Sequence, residues 1–269
     1  MNKLLKTTLI FFGITLVLFA SFGIYIYVDR YPINKMRTTQ DEVPTSEKVN
    51  LEGLRALKAS GSNAPLYSQL QQRLSFFKEK RLICDVKEST STYLNGLPYR
   101  YFGYHYEQPE LRHYLRRFLY SGTLKAHPEW LRSEEAEAKA YGFDYISVPI
   151  GSRYVSSAKN VDRFVTIIDS LPPETWVHFH CERGNGRTSL ALVMFDIMKN
   201  APQVALKDII KRQHLLGSED LFDVVPWTRG SYSLEMLTNR KKFIEDFYVF
   251  ICQRKAGGSQ TWSAWKSES

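Results

Sequence analysis

The sequence holds little cysteine, and this scarcity excludes two kinds of small scaffold. Its three cysteines, Cys84, Cys181 and Cys252, lie far apart, and no two of them form a CxxC pair. A disulfide framework needs an even set of cysteines and a structural zinc site needs closely spaced ligands, so we expect neither. The sequence also lacks repeats at the periods of solenoids or propellers, and it has no long low-complexity tract.

Acidic residues are too few to balance the basic ones. The 36 lysines and arginines against 28 aspartates and glutamates give a net charge of +8 and a pI near 9.2. A basic protein favours anionic partners, which are phosphorylated substrates, nucleic acids or anionic membrane surfaces. Because the sequence contains no groove-reading motif and no stretch of interleaved aromatic and basic residues, we expect no nucleic-acid partner.

A long hydrophobic run occurs near the N-terminus. Lys3 and Lys6 precede an uncharged stretch from residue 7 to residue 28, and Asp29 and Arg30 end it. At about 1.5 Å per residue, such a helix is long enough to cross a hydrocarbon core of about 30 Å. The sequence therefore predicts a membrane-associated or exported protein.

The run has two interpretations, an uncleaved signal anchor and a cleaved signal peptide. A cleaved signal has a shorter apolar region and a small-x-small cleavage site, whereas Leu18 precedes Ala20 by two positions. This favours the signal anchor, with the cleaved signal as the alternative. Lys35 and Arg37 follow the run, so charge asymmetry leaves the orientation open, although we favour the extracytoplasmic or periplasmic side for the rest of the chain.

The remaining sequence alternates strands with helices. The segments "RLICDVK", "FDYISVPI" and "TWVHFHC" are typical of buried strands, and "NVDRFVTIIDSL" is typical of an amphipathic helix. This alternation predicts an α/β fold. We expect a hydrophobic helix within 1–30, a linker or surface segment partly packed on the domain over 31–64, and one domain over 65–269.

The segment "HFHCERGNGRTS", residues 178–189, carries the chemistry. A strand ends at His180, a glycine-rich loop follows, and a helix begins near Arg187. Backbone amides and the positive end of a helix dipole converge in such a loop and attract anions. Cys181 at the mouth of the loop would be stabilised as a thiolate nucleophile. Arg187 would present a planar fork to two phosphoryl oxygens.

The other loop residues have predicted roles of their own. Thr188 could donate its hydroxyl proton to the thiolate, and His180 would brace the loop. The alternative is a buried, inert cysteine at an ordinary glycine turn, but the C-x5-R spacing and the threonine after the arginine speak against it. The residues expected to form the phosphate-binding loop between Cys181 and Arg187 are Glu182, Arg183, Gly184, Asn185 and Gly186.

The Cys181-x5-Arg187-Thr188 pattern after His180 resembles the signature of the protein-tyrosine-phosphatase superfamily. The segments "KMRTT", "DVKESTSTYLNGLP", "LKDIIKRQHLLG", "FIEDFY" and "TWSAWK" occur in the order of landmarks in the bacterial protein-tyrosine-phosphatase-like phytases, which are cysteine-dependent inositol polyphosphatases. The resemblance spans roughly residues 35–266. It implies a central sheet flanked by helices and a cysteinyl-phosphate intermediate. It implies no cofactor and no metal, because amides and arginines meet the phosphate charge.

The resemblance also assigns residues. Cys181 matches the nucleophile and Arg187 the phosphate-binding arginine. At the position of the family's general-acid aspartate the sequence has Ser152, and no carboxylate occurs from residue 149 to residue 159. The possible substrate-binding residues are Arg37, Asp85, Arg153 and Arg240.

Three functions follow as hypotheses. The first is a phosphatase acting on inositol polyphosphates or other phosphorylated small molecules. The second is a phosphatase acting on phosphotyrosine in phosphoproteins. The third is a pseudophosphatase that binds phosphate and hardly turns it over, because Ser152 protonates a leaving alkoxide poorly.

Overall fold

The structure is a computed structural model, and it describes residues 3–27, 36–44, 48–151, 156–226 and 232–268. The chain divides into two compact units. The smaller unit comprises Met1–Ile33 and Ser91–Ser133, and the larger comprises Asn34–Thr90 and Glu134–Ser269. The sequence predicted one domain over residues 65–269. The larger unit begins before residue 65, and residues 91–133 belong to the smaller unit.

The secondary structure alternates as expected from the sequence. The strands are β1 (Arg37–Thr38), β2 (Ala59–Ser62), β3 (Arg81–Asp85), β4 (Thr92–Leu94), β5 (Leu97–Pro98), β6 (Arg132–Ser133), β7 (Asp144–Ser147) and β8 (Trp176–His180). The helices are α1 (Lys3–Tyr27), α2 (Tyr67–Arg73), α3 (Leu111–Ser121), α4 (Glu134–Ala140), α5 (Ala158–Ser170), α6 (Gly186–Asn200), α7 (Leu206–Leu215), α8 (Leu234–Lys255) and α9 (Trp262–Glu268).

The larger unit is built on a five-stranded sheet in the order β1-β2-β8-β3-β7. The strands β2, β8, β3 and β7 pair in parallel, and β1 pairs antiparallel with β2 at the edge. Every residue of β8 is buried, as a strand in the middle of a helix-covered parallel sheet requires. The predicted α/β class with a central sheet flanked by helices is confirmed.

Strand β2 lies inside the segment predicted to be a linker. Its sequence, Ala-Ser-Gly-Ser, shows no apolar alternation, yet all four residues are buried. The small side chains are needed because α6 packs directly against the strand. A Cβ on Gly61 would lie 2.7 Å from Thr188 Cγ2 and 2.8 Å from Leu192 Cδ1. Because β2 must lie close to α6, it consists of small residues, and its composition therefore resembles that of a loop.

Helix α6 forms the centre of the core. Its sequence is apolar on nearly every side, which predicts a buried helix, and all its residues from Thr188 to Met198 are buried. Against it pack α7, α8, β2 and β8. The functional loop is thereby attached to the most deeply buried helix of the unit, which restricts its motion.

The smaller unit contains α1, α3 and a three-stranded sheet in the order β5-β4-β6. Leu94, Tyr101 and Phe102 form its small hydrophobic cluster. Residues Ile10–Tyr27 of α1 have a mean hydropathy of 2.1, so this helix is long and apolar enough to cross a membrane by length and composition. Length and composition alone do not separate an anchor from a signal sequence.

The contact between β2 and α6 yields a stability prediction. Gly61→Ala should lower the free energy of unfolding by about 1–3 kcal/mol, because overpacking forces Thr188 and Leu192 to shift. The measurement is urea unfolding of the variant beside the parent chain. Equal midpoints for Gly61→Ala and the parent would contradict this packing.

Candidate active site

The loop of residues 181–187 joins a strand to a helix as the sequence predicts. Strand β8 ends at His180 and α6 begins at Gly186. Cys181 is buried, with 5% of its surface exposed, whereas the Arg187 side chain is 23% exposed. The thiol is therefore shielded from bulk solvent, and the arginine at the other end of the loop is accessible to a ligand.

The two glycines of the loop serve different purposes. Gly184 has a φ of +69°, a conformation that favours glycine, and a Cβ there would lie 2.4 Å from the Asn63 amide nitrogen. Gly186 has no positive φ. It is restricted by space instead, since a Cβ would lie 2.7 Å from the hydroxyl of Tyr232 and 3.5 Å from Glu219 Oε2. The loop thus packs against the end of β2 on one side and against Tyr232 on another.

Arg37 holds the loop in place through three hydrogen bonds. Its Nε donates to the Ser218 hydroxyl at 2.9 Å, Nη1 to the Gly184 carbonyl at 3.0 Å and Nη2 to the Ser189 hydroxyl at 3.2 Å. Burial lowers the pKa of Arg37 to about 10, although Cys181 and Glu219 act in the opposite direction. A buried guanidinium bonded in this way positions the loop, which differs from the predicted direct contact with substrate.

Thr188 also differs from its predicted role. It is fully buried, and its hydroxyl donates to the Ser62 carbonyl at 3.2 Å. A hydroxyl has a single proton to donate, so in this arrangement the proton goes to the end of β2 rather than to the sulfur of Cys181. Thr188 therefore helps to hold α6 against the sheet.

Arg187 presents one edge of its guanidinium to the site. Its Nε is buried and has no hydrogen-bond partner among the described residues. Its Nη2, on the same edge, lies 3.6 Å from Glu88 Oε2. A buried donor without a partner costs free energy, and a phosphate bonded along this edge would satisfy it. The carboxylate of Glu88, which the sequence analysis missed, lies beside the same edge.

A buried cluster of charged groups lies behind the loop. The Lys87 ammonium is 2.8 Å from Glu134 Oε2 and 3.4 Å from Asp85 Oδ2, and His180 Nε2 is 3.2 Å from Glu134 Oε1. Burial would lower the pKa of Lys87, but Glu134 and Asp85 more than offset it, so this pKa is raised. Asp85 is itself buried and accepts from the Tyr145 hydroxyl at 3.0 Å. This placement does not fit its predicted contact with substrate.

The same cluster has the composition of a metal site. One ligand atom from each of Asp85, Glu134 and His180 lies within 4.8 Å of the other two. The Lys87 ammonium, however, contacts both carboxylates and supplies the positive charge that they require. The cluster therefore acts as an internal ion-pair network that supports His180 and the start of the loop.

Arg240 is connected to the loop by Glu219, which it pairs with and which approaches Gly186. Its Nη1 donates to Glu219 Oε2 at 2.9 Å, and its guanidinium lies 5.5 Å from the centre of the Tyr232 ring. Glu219 and Tyr232 both approach Gly186, as described above. The structure therefore brings Arg240 to the site, largely buried and already ion-paired. The sequence offered no signal for Glu219 or Tyr232, which follow α7 at irregular spacing.

The remaining predicted residues divide into two groups. Arg183, two positions after Cys181, is exposed, and Glu182 and Asn185 are partly buried in the loop. An exposed arginine at this position can contact a second anionic group of a ligand. Ser152 and Arg153 lie outside the described residues, so the structure leaves their predicted roles untested.

Comparison with known proteins agrees with this geometry. The family model of the PTP-like phytases, described as "Inositol hexakisphosphate", matches residues 121–199, which include the whole loop. The uncharacterized protein AvrBs1.1 of Xanthomonas campestris pv. campestris is 33% identical over 89 residues, which are 33% of this chain and 86% of that protein. The chain belongs to the PTP-like phytase family.

Two solved structures share the fold of this family member. The PTP-like myo-inositol phosphatase of Mitsuokella multacida, in complex with myo-inositol-(1,3,4,5)-tetrakisphosphate, superposes with a TM-score of 0.68 at 22% identity over 90% of this chain. The match covers 46% of the Mitsuokella chain, so the present chain spans just under half of it. The PTP-like phytase of Bdellovibrio bacteriovorus gives a TM-score of 0.60 at 22% identity, over 87% of this chain and 98% of that one.

The buried histidine of the site generates a prediction about pH. Burial is the main cause that lowers the pKa of His180 to about 3 in the folded protein, whereas an unfolded histidine titrates near 6.5. Between these values the unfolded chain binds the proton and the folded chain does not. The free energy of unfolding should therefore fall as the pH drops from about 6.5 towards 3, by about 1.4 kcal/mol per pH unit for this group.

Urea unfolding of the parent chain and of His180→Gln at pH 7, 6 and 5 measures this effect. The difference in slope between the two isolates His180 from His178, whose pKa is also lowered, mainly by burial. We expect a shallower pH dependence in His180→Gln. Identical slopes would mean that His180 accepts a proton in the folded state near its ordinary pKa.

Proposed function

We propose that the protein hydrolyses phosphate monoesters through a cysteinyl-phosphate intermediate on Cys181, with inositol polyphosphates as substrates. The observation that carries the proposal is the buried Nε of Arg187, which has no hydrogen-bond partner among the described residues. It lies at the end of a loop that begins with a shielded thiol and leads into α6. Such a loop offers backbone amides, a helix dipole and a planar cation to one phosphate. Family membership supports the same chemistry.

The proposed reaction has two displacements. The Cys181 thiolate attacks phosphorus, an S–P bond forms, and the P–O bond to the leaving group breaks while the leaving oxygen takes up a proton. A water molecule then attacks the cysteinyl phosphate and gives up a proton to solvent, which balances the proton taken up by the leaving oxygen. In this step a P–O bond forms, the S–P bond breaks and the thiolate is restored. In both steps Arg187 and the loop amides hold the equatorial oxygens, where negative charge is spread in the transition state.

Charge supports a multiply phosphorylated substrate over phosphotyrosine. The chain carries a net charge of +8, and Arg183, two positions after the nucleophile in the loop, is exposed. An inositol polyphosphate has further phosphates within reach of such a residue, whereas phosphotyrosine has one. The Mitsuokella neighbour was crystallised with an inositol tetrakisphosphate, which is consistent with this choice. Protein-tyrosine phosphatase activity is the second candidate, because the same loop holds an aryl phosphate.

We further propose that α1 anchors the protein in a membrane, with the phosphatase fold on the extracytoplasmic side. The support is the length and hydropathy of Ile10–Tyr27. A cleaved signal peptide can have the same length and hydropathy. N-terminal sequencing of the mature protein distinguishes an anchor, which is retained, from a signal peptide, which is removed. Neither the anchor nor its orientation affects the chemistry proposed for Cys181.

Phosphate release from three substrates tests the function. The full chain in detergent should release phosphate from an aryl phosphate, from inositol hexakisphosphate and, more slowly, from a phosphotyrosine peptide. Cys181→Ser should abolish release and Arg187→Ala should lower kcat/KM by at least about 10³-fold, because the transition-state clamp is removed. Cys252→Ser is the matched control, a second cysteine outside the loop, and it should retain parental activity.

Two outcomes would contradict the proposal. Release that is unaffected by Cys181→Ser would exclude the cysteinyl intermediate. Binding of inositol hexakisphosphate without release from any of the three substrates would identify a pseudophosphatase instead. Faster release from the phosphotyrosine peptide than from the inositol phosphate would favour the second candidate function.

The residue at position 152 generates a separate prediction. A serine cannot serve as a general acid near neutral pH, so the rate of hydrolysis should be lowest for substrates with poor leaving groups. A positioned general acid typically raises the rate by about 10²–10⁴-fold. Ser152→Asp should therefore raise kcat for alkyl phosphates by at least about tenfold and leave aryl phosphates nearly unchanged. Steady-state kinetics with both substrate classes measure this. An unchanged kcat ratio would mean that another carboxylate supplies the proton, and Glu88 at the edge of Arg187 is then the residue to replace.

A further inference from the structure

Helix α3 of the smaller unit has its polar and apolar faces reversed. Its buried residues are His113, Arg116 and Arg117. Its large apolar residues point to solvent instead, with Leu111 62%, Phe118 56% and Leu119 53% exposed. Positions 111, 114 and 118 follow helical spacing, and Tyr114 is also exposed. The helix therefore presents a continuous apolar stripe on the outside of the unit, which we call the α3 stripe (Leu111, Tyr114, Phe118, Leu119).

Specific contacts fix this orientation. Arg116 donates from Nη1 to the Tyr101 carbonyl at 2.9 Å, and its guanidinium lies 4.0 Å from the centre of the Tyr101 ring. Arg117 donates from Nε to the Phe102 carbonyl at 2.9 Å. Turning the stripe inward would expose these carbonyls and separate both guanidinium groups from their partners. The apolar stripe is thus held outward by the unit itself.

Arg116 also joins α3 to the hydrophobic helix. Its Nε donates to the carbonyl of Ile26 at 2.6 Å, in the last turn of α1. Because the candidate span is Ile10–Tyr27, this hydrogen bond places α3 at the end of the span. Tyr25 and Tyr27 are exposed in the same turn, and tyrosines are enriched where a span meets the headgroups.

We propose that the α3 stripe rests on the bilayer in which α1 is anchored, at the boundary between acyl chains and headgroups. The proposal rests on the proposed anchoring and is independent of the catalytic chemistry. A helix with one exposed apolar face, beside the end of a membrane span, is the kind of element that lies at the interface with that face in the lipid. The following segment has the composition of an interfacial rim, since Leu124 and Trp130 are exposed beside exposed Lys125 and Arg132. The basic side chains suit anionic headgroups.

Fluorescence quenching in proteoliposomes tests the docking. The full chain, in a Cys181→Ser and Cys252→Ser background, carries an environment-sensitive label on Phe118→Cys or Leu119→Cys. The control label is on Phe76→Cys, a residue of the larger unit that is 59% exposed. A reference label on Phe12→Cys in α1 reports insertion. The vesicles contain phosphatidylcholine and phosphatidylglycerol, with brominated acyl chains in one series and aqueous iodide in another.

The labels at positions 118 and 119 should be quenched by brominated lipid at least threefold more than the label at position 76, and protected from iodide. Equal iodide access at 118 and 76, with position 12 quenched by lipid, would overturn the docking and leave the anchor intact. Loss of lipid quenching at position 12 would overturn both the docking of the α3 stripe and the anchoring by α1. Protection from iodide without lipid quenching would mean that a protein, such as a second copy of the chain, covers the stripe, and this also overturns the proposal.

Discussion

The buried guanidinium of Arg37 is the interaction on which the loop geometry depends. It bonds to a carbonyl inside the loop, to a hydroxyl in the first turn of α6 and to a hydroxyl after α7. All three groups lie at least 147 residues from Arg37 in the sequence, and this one planar cation holds them at fixed separations. Burying a charge is costly unless its donors are satisfied. The lowered pKa reflects this cost, and the loop can adopt its shape because the segment around residue 37 belongs to the sheet.

The buried cluster of charged groups behind the loop also pairs its charges within the protein. Asp85 and Glu134 surround Lys87, and His180 remains neutral between them because burial disfavours its protonated form. Lys87 thereby offsets part of the negative charge of the two carboxylates before any ligand binds. Among the described residues of the loop, Arg187 keeps a buried Nε without a hydrogen-bond partner, which an incoming phosphate could satisfy. The structure separates the charges that hold the loop from those that can bind substrate.

Much of the fold and the loop could be predicted from the sequence, because both have strong local signals. Parallel strands read as short apolar runs, and the loop combines a cysteine, two glycines and an arginine at fixed spacing. Strand β2 escaped prediction because close packing against α6 demands small residues, which carry no hydrophobic pattern. The residues of the α3 stripe have the spacing of an apolar helical face, but the direction of that face depends on the carbonyl partners of Arg116 and Arg117. Such tertiary contacts leave no periodic signal.

Site residues were missed for the same reason. Glu219 and Tyr232 reach Gly186 only because the segment after α7 returns to the loop, and no spacing in the sequence predicts that return. The structure buries Arg37 and Asp85, and a motif does not encode burial. Direct contact of either residue with substrate stays a prediction.

Glu88 shows that the site already holds an anion where a phosphate would bind. Its carboxylate lies 3.6 Å from Arg187 Nη2, on the edge of the guanidinium that also carries the unpaired Nε. A phosphate bound along that edge would compete with this carboxylate for the same cation, because two like charges within a few ångströms repel each other. Substrate binding would therefore exchange one anionic partner of Arg187 for another. The Glu88 side chain is 44% exposed, so it can give up this contact and turn towards solvent.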